Sequence, residues 1–189
     1  MGQKAAKLNP AVLKDLYTST YFSEVEIKEW YACFRKECPT GYLTRTEFVA
    51  LYKKMFVAGD CSQFAEQAFR TYDRDGSGKI DFREFMCALS LMSRGTVDEK
   101  LTWAFSMYDV DGDGEITRVE MRNMIRSVYL LVGEDIMYTI LPEQLTPQQR
   151  ADRIFSRMDK DGDEQVTLKE FQIAARLEPS LVMLLQIGD

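Results

Sequence analysis

Apolar residues in this chain come in bursts at helical spacing, separated by polar stretches rich in Asp and Gly. Phe69 and Tyr72, Phe105 and Tyr108, and Phe155 and Met158 stand four and one residues ahead of three acidic stretches. One apolar residue sits inside each stretch (Ile80, Ile116, Val166), and Leu43 holds the equivalent place nearer the start. The pairs Asp81/Glu84, Thr117/Glu120 and Thr167/Glu170 then open outgoing helices as capping boxes, as do Ser23/Glu26 and Thr44/Glu47. Thr146-Pro147-Gln148-Gln149 supplies an N-cap, a proline at the first helical position and a glutamine at the third. The pattern predicts an all-α fold of four helix-loop-helix units, paired one with two and three with four. Leu43, Ile80, Ile116 and Val166 join as minimal two-stranded ribbons. Residues 1–22 form an N-terminal segment and first helix, 23–92 the first pair, 93–97 a bend at Ser93-Arg94-Gly95-Thr96, 98–175 the second pair, and 176–189 a C-terminal helix and tail. Units three and four are set further apart than two and three by the stretch around Gly133 to Leu145, which reads as a mobile loop available to partners.

The acidic stretches share one arrangement of oxygen donors over twelve positions. The first sets Asp73, Asp75, Ser77, Lys79, Asp81 and Glu84 at positions 1, 3, 5, 7, 9 and 12. The second sets Asp109, Asp111, Asp113, Glu115, Thr117 and Glu120 there, and the third Asp159, Asp161, Asp163, Gln165, Thr167 and Glu170. This is the calcium loop of the EF-hand. Side-chain oxygens at 1, 3 and 5, a backbone carbonyl at 7, an oxygen or its water at 9 and a bidentate Glu at 12 wrap one hard cation, provided position 6 turns sharply. Gly78 and Gly114 permit that turn because they lack a Cβ. Turn formation alone would account for Asp-Gly clusters, and capping alone for the pairs at 9 and 12. Neither demands acids at 1 and 3, an apolar residue at 8 and Glu at 12 three times over. Loops two and three are therefore expected to bind Ca²⁺ strongly. Loop four keeps its ligands but has Glu164 at the turn position, where positive φ costs about 1 kcal/mol or more. Weaker binding is expected there.

A degenerate first copy runs from Lys36 to Glu47, with Gly41 at position 6. Lys36 puts a cation where a carboxylate belongs, Cys38 puts a thiol in place of a hard oxygen, and Pro39 locks φ inside the turn. Tyr31 and Phe34 sit five and two residues ahead of it, so the loop is effectively one residue too long. It is expected to be empty.

Composition narrows the chemistry further. With no His, triads that need an imidazole base are unavailable, and no nucleophile with its base is found, so an enzyme is not expected. Cys33, Cys38, Cys61 and Cys87 form no CxxC pair and read as reduced thiols of a cytoplasmic protein. No apolar run reaches the length of a membrane span, and no signal peptide follows Met1. The net charge of −6 leaves no basic stripe for nucleic acid, and three divalent ions would cancel it.

Two further features bear on partners. Met1-Gly2-Gln3-Lys4-Ala5-Ala6-Lys7 approximates an N-myristoylation signal at Gly2, with Ala6 where Ser or Thr is usual; the alternative is an ordinary unmodified start. Phe22, Trp30, Tyr31, Phe34, Phe48, Tyr52, Phe56, Phe69, Phe82, Phe85 and Leu89 crowd the first half at helical spacing. Most read as core, and together they could line a cavity for an acyl chain or a target helix.

Several motifs resemble the neuronal calcium sensor family, specifically its neurocalcin, hippocalcin and visinin-like branch. They are Phe22-Ser23-Glu24 ahead of Trp30-Tyr31, the disabled loop at Cys38-Pro39-Thr40-Gly41, Ala68-Phe69-Arg70-Thr71-Tyr72-Asp73, Ile80-Asp81-Phe82-Arg83-Glu84-Phe85, Trp103-Ala104-Phe105-Ser106-Met107-Tyr108-Asp109 and Leu184-Leu185-Gln186. The resemblance covers nearly the whole chain. It implies a compact protein myristoylated at Gly2, its acyl chain buried among first-half helices without calcium and extruded with it. Trp30, Tyr52, Phe82 and Leu89 would border the acyl pocket. Ala6 departs from the family's frequent Ser, Met55 stands where the branch often has Phe, and the short tail ending at Asp189 is expected to alter competition for the groove. The expected protein is a cytoplasmic calcium sensor, monomeric or weakly dimeric. It joins membranes reversibly through myristate, binds an amphipathic target helix and avoids nucleic acid. The alternatives are a calcium buffer, or a soluble regulatory subunit of a cyclase or channel without an acyl switch.

Overall fold

The computed structural model describes residues 7–57, 59–140, 143 and 145–177. Helix α1 (Pro10–Ser19) precedes hand one, which is α2 (Glu24–Glu37), β1 (Tyr42–Thr44) and α3 (Arg45–Met55). Hand two is α4 (Ser62–Tyr72), β2 (Lys79–Asp81) and α5 (Phe82–Arg94), and hand three is α6 (Val97–Tyr108), β3 (Glu115–Thr117) and α7 (Arg118–Val132). After α8 (Glu134–Ile140), hand four is α9 (Pro147–Met158), β4 (Gln165–Thr167) and α10 (Leu168–Leu177). The strands pair antiparallel as expected, Leu43 opposite Ile80 and Ile116 opposite Val166.

The described chain packs as two compact units. Residues through Phe48 pack with Tyr72–Lys100, while Val49–Thr71 packs with Leu101 and the described residues beyond it. In the first unit, Leu16, Phe22, Ile27, Phe34, Phe82 and Met86 form one buried cluster. Burying each of these side chains is worth about 1.5–3 kcal/mol, enough to hold α1, α2 and α5 together. Arg94, in the last turn of α5, donates to the Tyr21 carbonyl and to both Glu26 oxygens and lies over the Phe22 ring. The Tyr21 N–H in turn donates to the buried Ser90 hydroxyl at 2.7 Å. The cap of α2 is thus tied to the far end of α5. The break expected after Leu91 is a single tight turn. Gly95 N–H closes on Leu91 O, and Thr96 and Glu99 cap each other reciprocally at the start of α6.

In the second unit, Phe105 and Tyr108 of α6 meet the Phe171 ring of α10, and Phe69 and Phe155 are fully buried. Gly59 and Asp60 lead into α4 against α7, where Asp60 N–H donates to Leu130 O at 2.7 Å. The stretch after Gly133, expected as a loop, carries α8 instead. Gly133, at φ +96°, ends α7, and its carbonyl accepts the Met137 N–H. Glu134 and Asp135 favour a helix start there, and burial of Met137 anchors a helix too short to stand alone. Among the described residues no helix is long and apolar enough to cross a membrane.

Candidate metal centre

The carboxylates at positions 1, 3 and 12 converge in three places. Asp73, Asp75 and Glu84 present oxygens that all lie within 4.8 Å of one another, as do Asp109, Asp111 and Glu120, and Asp159, Asp161 and Glu170. Backbone amides impose this convergence. Ser77 N–H donates to both Asp73 Oδ1 and Asp75 Oδ1 at 2.9 Å, and Gly78 N–H to Asp73 Oδ2. In loops three and four the donors to position 1 are positions 4 and 6: Gly112 and Gly114 to Asp109, and Gly162 and Glu164 to Asp159. At position 5, Ser77 donates its hydroxyl to the Lys79 carbonyl at 3.0 Å, bringing two expected ligands together. Asp113 and Asp163 accept from Glu115 N–H and Gln165 N–H at 2.9 Å.

The position-12 glutamate is the hinge of each set. Glu84 takes the Arg74 N–H from the loop start on one oxygen and the Asp81 N–H from the helix start on the other. Glu120 does the same with Val110 N–H (2.8 Å) and with Thr117 N–H and O–H (2.8 and 2.7 Å). Glu170 repeats it with Lys160 and Thr167. Burial pushes the Glu120 and Glu170 carboxyls upward, but the bonds from Thr117 and Val110, and from Lys160 and Thr167, outweigh it and hold both below the usual range. Hydrogen bonds from Ser77 lower Asp75 likewise. These are all-oxygen carboxylate sets with a tight turn at position 6, which is the donor chemistry of a hard divalent cation. The residues fit calcium. Asp81, Thr117 and Thr167, at position 9, also serve as N-caps: Asp81 Oδ1 and the Thr117 and Thr167 hydroxyls accept the N–H of Glu84, Glu120 and Glu170.

Hand one differs at the same points. Glu47 bonds only Thr44 among the described residues, as a helix cap. Cys38 ends α2 with its N–H on Phe34 O, and its side chain packs against the buried cluster. Burial, with Glu47 and Glu37 nearby, raises its thiol and keeps it protonated. All four cysteines are free.

Of the candidate groove residues, Trp30 is partly exposed with its ring 6.1 Å from Phe85, Phe82 meets Tyr31 and Phe34, and Leu89 packs on the same cluster. Tyr52 belongs to the second unit, stacked on Phe56 at 5.8 Å and beside Phe64. Gly2 and the tail beyond Leu177 lie outside the described residues. One contributor stands in a family-like motif that gives no sign of its role. Arg70 of α4 donates to the Ser106, Met107 and Val110 carbonyls, securing the end of α6 and the entry to loop three. Its partners lie 36 to 40 residues away, so no local pattern shows these contacts.

Comparison with known proteins agrees with this chemistry. Residues 98–176 match the EF-hand domain pair model, and 64–92 the EF hand domain model. Neuronal calcium sensor 1 of Lymnaea stagnalis is 44% identical, over 100% of this chain and 98% of the relative. Recoverin of Homo sapiens is 33% identical over 97% of this chain and 92% of its own length, and S-modulin of Aquarana catesbeiana 33% identical over 89% and 83%. Identity at this level along the whole length, together with three converging carboxylate sets on paired hands, means that the chain belongs to the neuronal calcium sensor family.

Proposed function

We propose that this calcium sensor fills loops two and three strongly and loop four more weakly, with loop one empty. Filling exposes apolar surface and a myristoyl group on Gly2, and the protein then joins membranes reversibly and engages an amphipathic helix of a target protein. The observation that carries the reading is the position-12 glutamate, which in hands two, three and four bonds both its loop's first amides and the first turn of the exiting helix. A bound Ca²⁺ supplies two positive charges and draws on oxygens from around the loop. Glu84, Glu120 and Glu170 then draw their carboxylates onto the ion. Because each sits in the first turn of α5, α7 or α10, its movement is passed to that helix.

The aromatic layer of the first unit, Trp30 on Phe85 and Phe82 against Tyr31 and Phe34, supports an apolar site that helix movement would open or close. A single acyl chain gives marginal, reversible membrane binding at about 0.8 kcal/mol per buried CH₂, the regime a switch requires. The test uses protein made with and without N-myristoyltransferase, with acylation at Gly2 confirmed by mass. Sedimentation of the acylated form with liposomes should rise steeply with calcium while the unmodified form stays in solution. Equal sedimentation with and without calcium would leave a regulator that works through its groove alone. Failure to bind a hydrophobic dye on calcium addition would leave a buffer.

A further inference from the structure

Loop four breaks the rule that position 6 is glycine, and a second side chain meets the exception. Glu164 is the one non-glycine residue at positive φ among the described residues, at +67°, against +78° and +93° for Gly78 and Gly114 at the same loop position. The turn itself is preserved, since Glu164 N–H still donates to Asp159 Oδ2 at 3.3 Å, as Gly114 N–H does to Asp109 at 3.1 Å. In an L-residue that conformation brings Cβ against the backbone and favours leaving the turn.

The Glu164 side chain is held. Thr117 pairs with Gln165 across the ribbon, so the next positions outward, Arg118 and Glu164, are cross-strand neighbours. Two Arg118 nitrogens reach one Glu164 oxygen at 3.0 and 2.9 Å. An exposed ion pair of this kind ordinarily contributes little. This cation is not free to wander, however: its side chain is 27% exposed while that of Glu164 is 69%. The guanidinium lies over the Phe155 ring at 4.3 Å and 3.8 Å from Asp152 Oδ1, and Arg122 holds the same Asp152 oxygen at 2.7–2.8 Å. A guanidinium fixed from behind loses less freedom on gripping a carboxylate. It also offsets a charge that Glu164 adds beside Asp159, Asp161 and Asp163 without occupying a ligand position.

We propose that Arg118 is a positioning residue for loop four. By holding the Glu164 carboxylate it keeps position 6 in the left-handed turn that glycine supplies in loops two and three, and so preserves calcium affinity in a loop without that glycine. The proposal rests on the reading that loop four takes calcium.

The test is a calcium titration of the full chain followed by the amide resonances of Gly162 in loop four and Gly112 in loop three, which report the two sites separately. Arg118→Ala should weaken the Gly162 transition about tenfold, the order expected if a left-handed turn loses its support. Arg118→Lys should recover part of the loss. In a Glu164→Gly background the loop no longer needs the contact, and adding Arg118→Ala should leave the Gly162 transition unchanged. Equal weakening by Arg118→Ala in both backgrounds would overturn the proposal, because the arginine would then act only through Asp152 and Phe155. No weakening in the native background would overturn it too. A Gly162 resonance that ignores millimolar calcium in the unaltered protein would instead sink the assignment of an ion to loop four, and the proposal with it.

Discussion

Glu120→Gln separates the two jobs of the position-12 glutamate. The Glu120 carboxylate receives three bonds, from Val110 N–H and from Thr117 N–H and O–H, while only 8% exposed. An amide keeps one acceptor oxygen, so its NH₂ end must face a donor. One buried partner goes unmatched, at about 1–3 kcal/mol. For a chain of this length each kcal/mol moves the melting temperature by about 2–4 °C, which gives a loss of roughly 2–12 °C in chelator. The effect on ion binding is larger. Asp109, Asp111 and Glu120 oxygens lie within 4.8 Å of one another, so an ion among them interacts with every carboxylate at close range. A divalent cation about 4 Å from one carboxylate gains about 2 kcal/mol even at the dielectric constant of water, and more in a shielded loop. Removing that charge should weaken loop three at least about thirtyfold.

Calorimetric titration should therefore count one ion fewer at micromolar calcium, and the melting temperature should gain less from calcium than in the parent. Glu84→Gln should remove a different single ion by the same logic. Unchanged stoichiometry and an unchanged thermal gain in Glu120→Gln would refute the reasoning, because the glutamate would then be a helix cap and nothing more.

Three other outcomes follow from the geometry. Arg94, with bonds from Ser23, holds the Glu26 carboxyl down to about 2 from its ordinary 4.5. Its contribution to stability is complete above about pH 4.5 and is lost as pH falls towards 2, so Glu26→Gln should flatten the pH dependence of the urea midpoint in that window; parallel profiles would count against the pair. A Cβ on Gly59 would overlap the Leu130 carbonyl oxygen and lie 2.5 Å from Leu131 O. Gly59→Ala should cost about 2–4 kcal/mol in chemical denaturation through overpacking and the weakened Asp60–Leu130 bond, and a cost below 1 kcal/mol would show that the turn is not seated on α7. Anomalous scattering from a calcium-soaked crystal should show no ion between Cys38 and Glu47, and a peak there would contradict the reading of loop one.

The carboxylate sets were legible in the sequence because everything that shapes them is local. Asp73 is arranged by amides four and five residues on, and Glu84 by amides up to ten residues back. The ribbons were equally legible, since Ile116 and Val166 occupy the same place in their loops and a two-fold pairing of hands sets them face to face. Contacts across the fold left no such trace. Nothing in the sequence shows that Arg70 meets the end of α6, or that Gly59 lies against α7. Helix α8 was illegible for a related reason: at seven residues it depends on burial of Met137, a tertiary fact. Glu164 lies between these cases. Its strain was visible from loop position alone, whereas the partner that answers it required the register of the second ribbon.

Hand one shows why a loop can lose its ligands and still keep its form. Strand β1 is half of a ribbon, and Leu43 opposite Ile80 completes the pair that loop two needs. Ile80 is fully buried, so without β1 the strand beside the loop-two carboxylates would lose its backbone partner and its neighbour together. Three features of loop one serve that pairing and none requires an ion. Gly41 turns at φ +91°, Thr44 and Glu47 cap α3, and Lys79 lies over the Tyr42 ring at 4.2 Å. Cys38, at loop position 3, packs instead against the cluster built on Phe34 and Phe82. Selection on such a loop would act on its turn, its cap and its ribbon. The turn, the cap and the ribbon all form with Lys36 and Cys38 at the first and third positions, where loop two has Asp73 and Asp75.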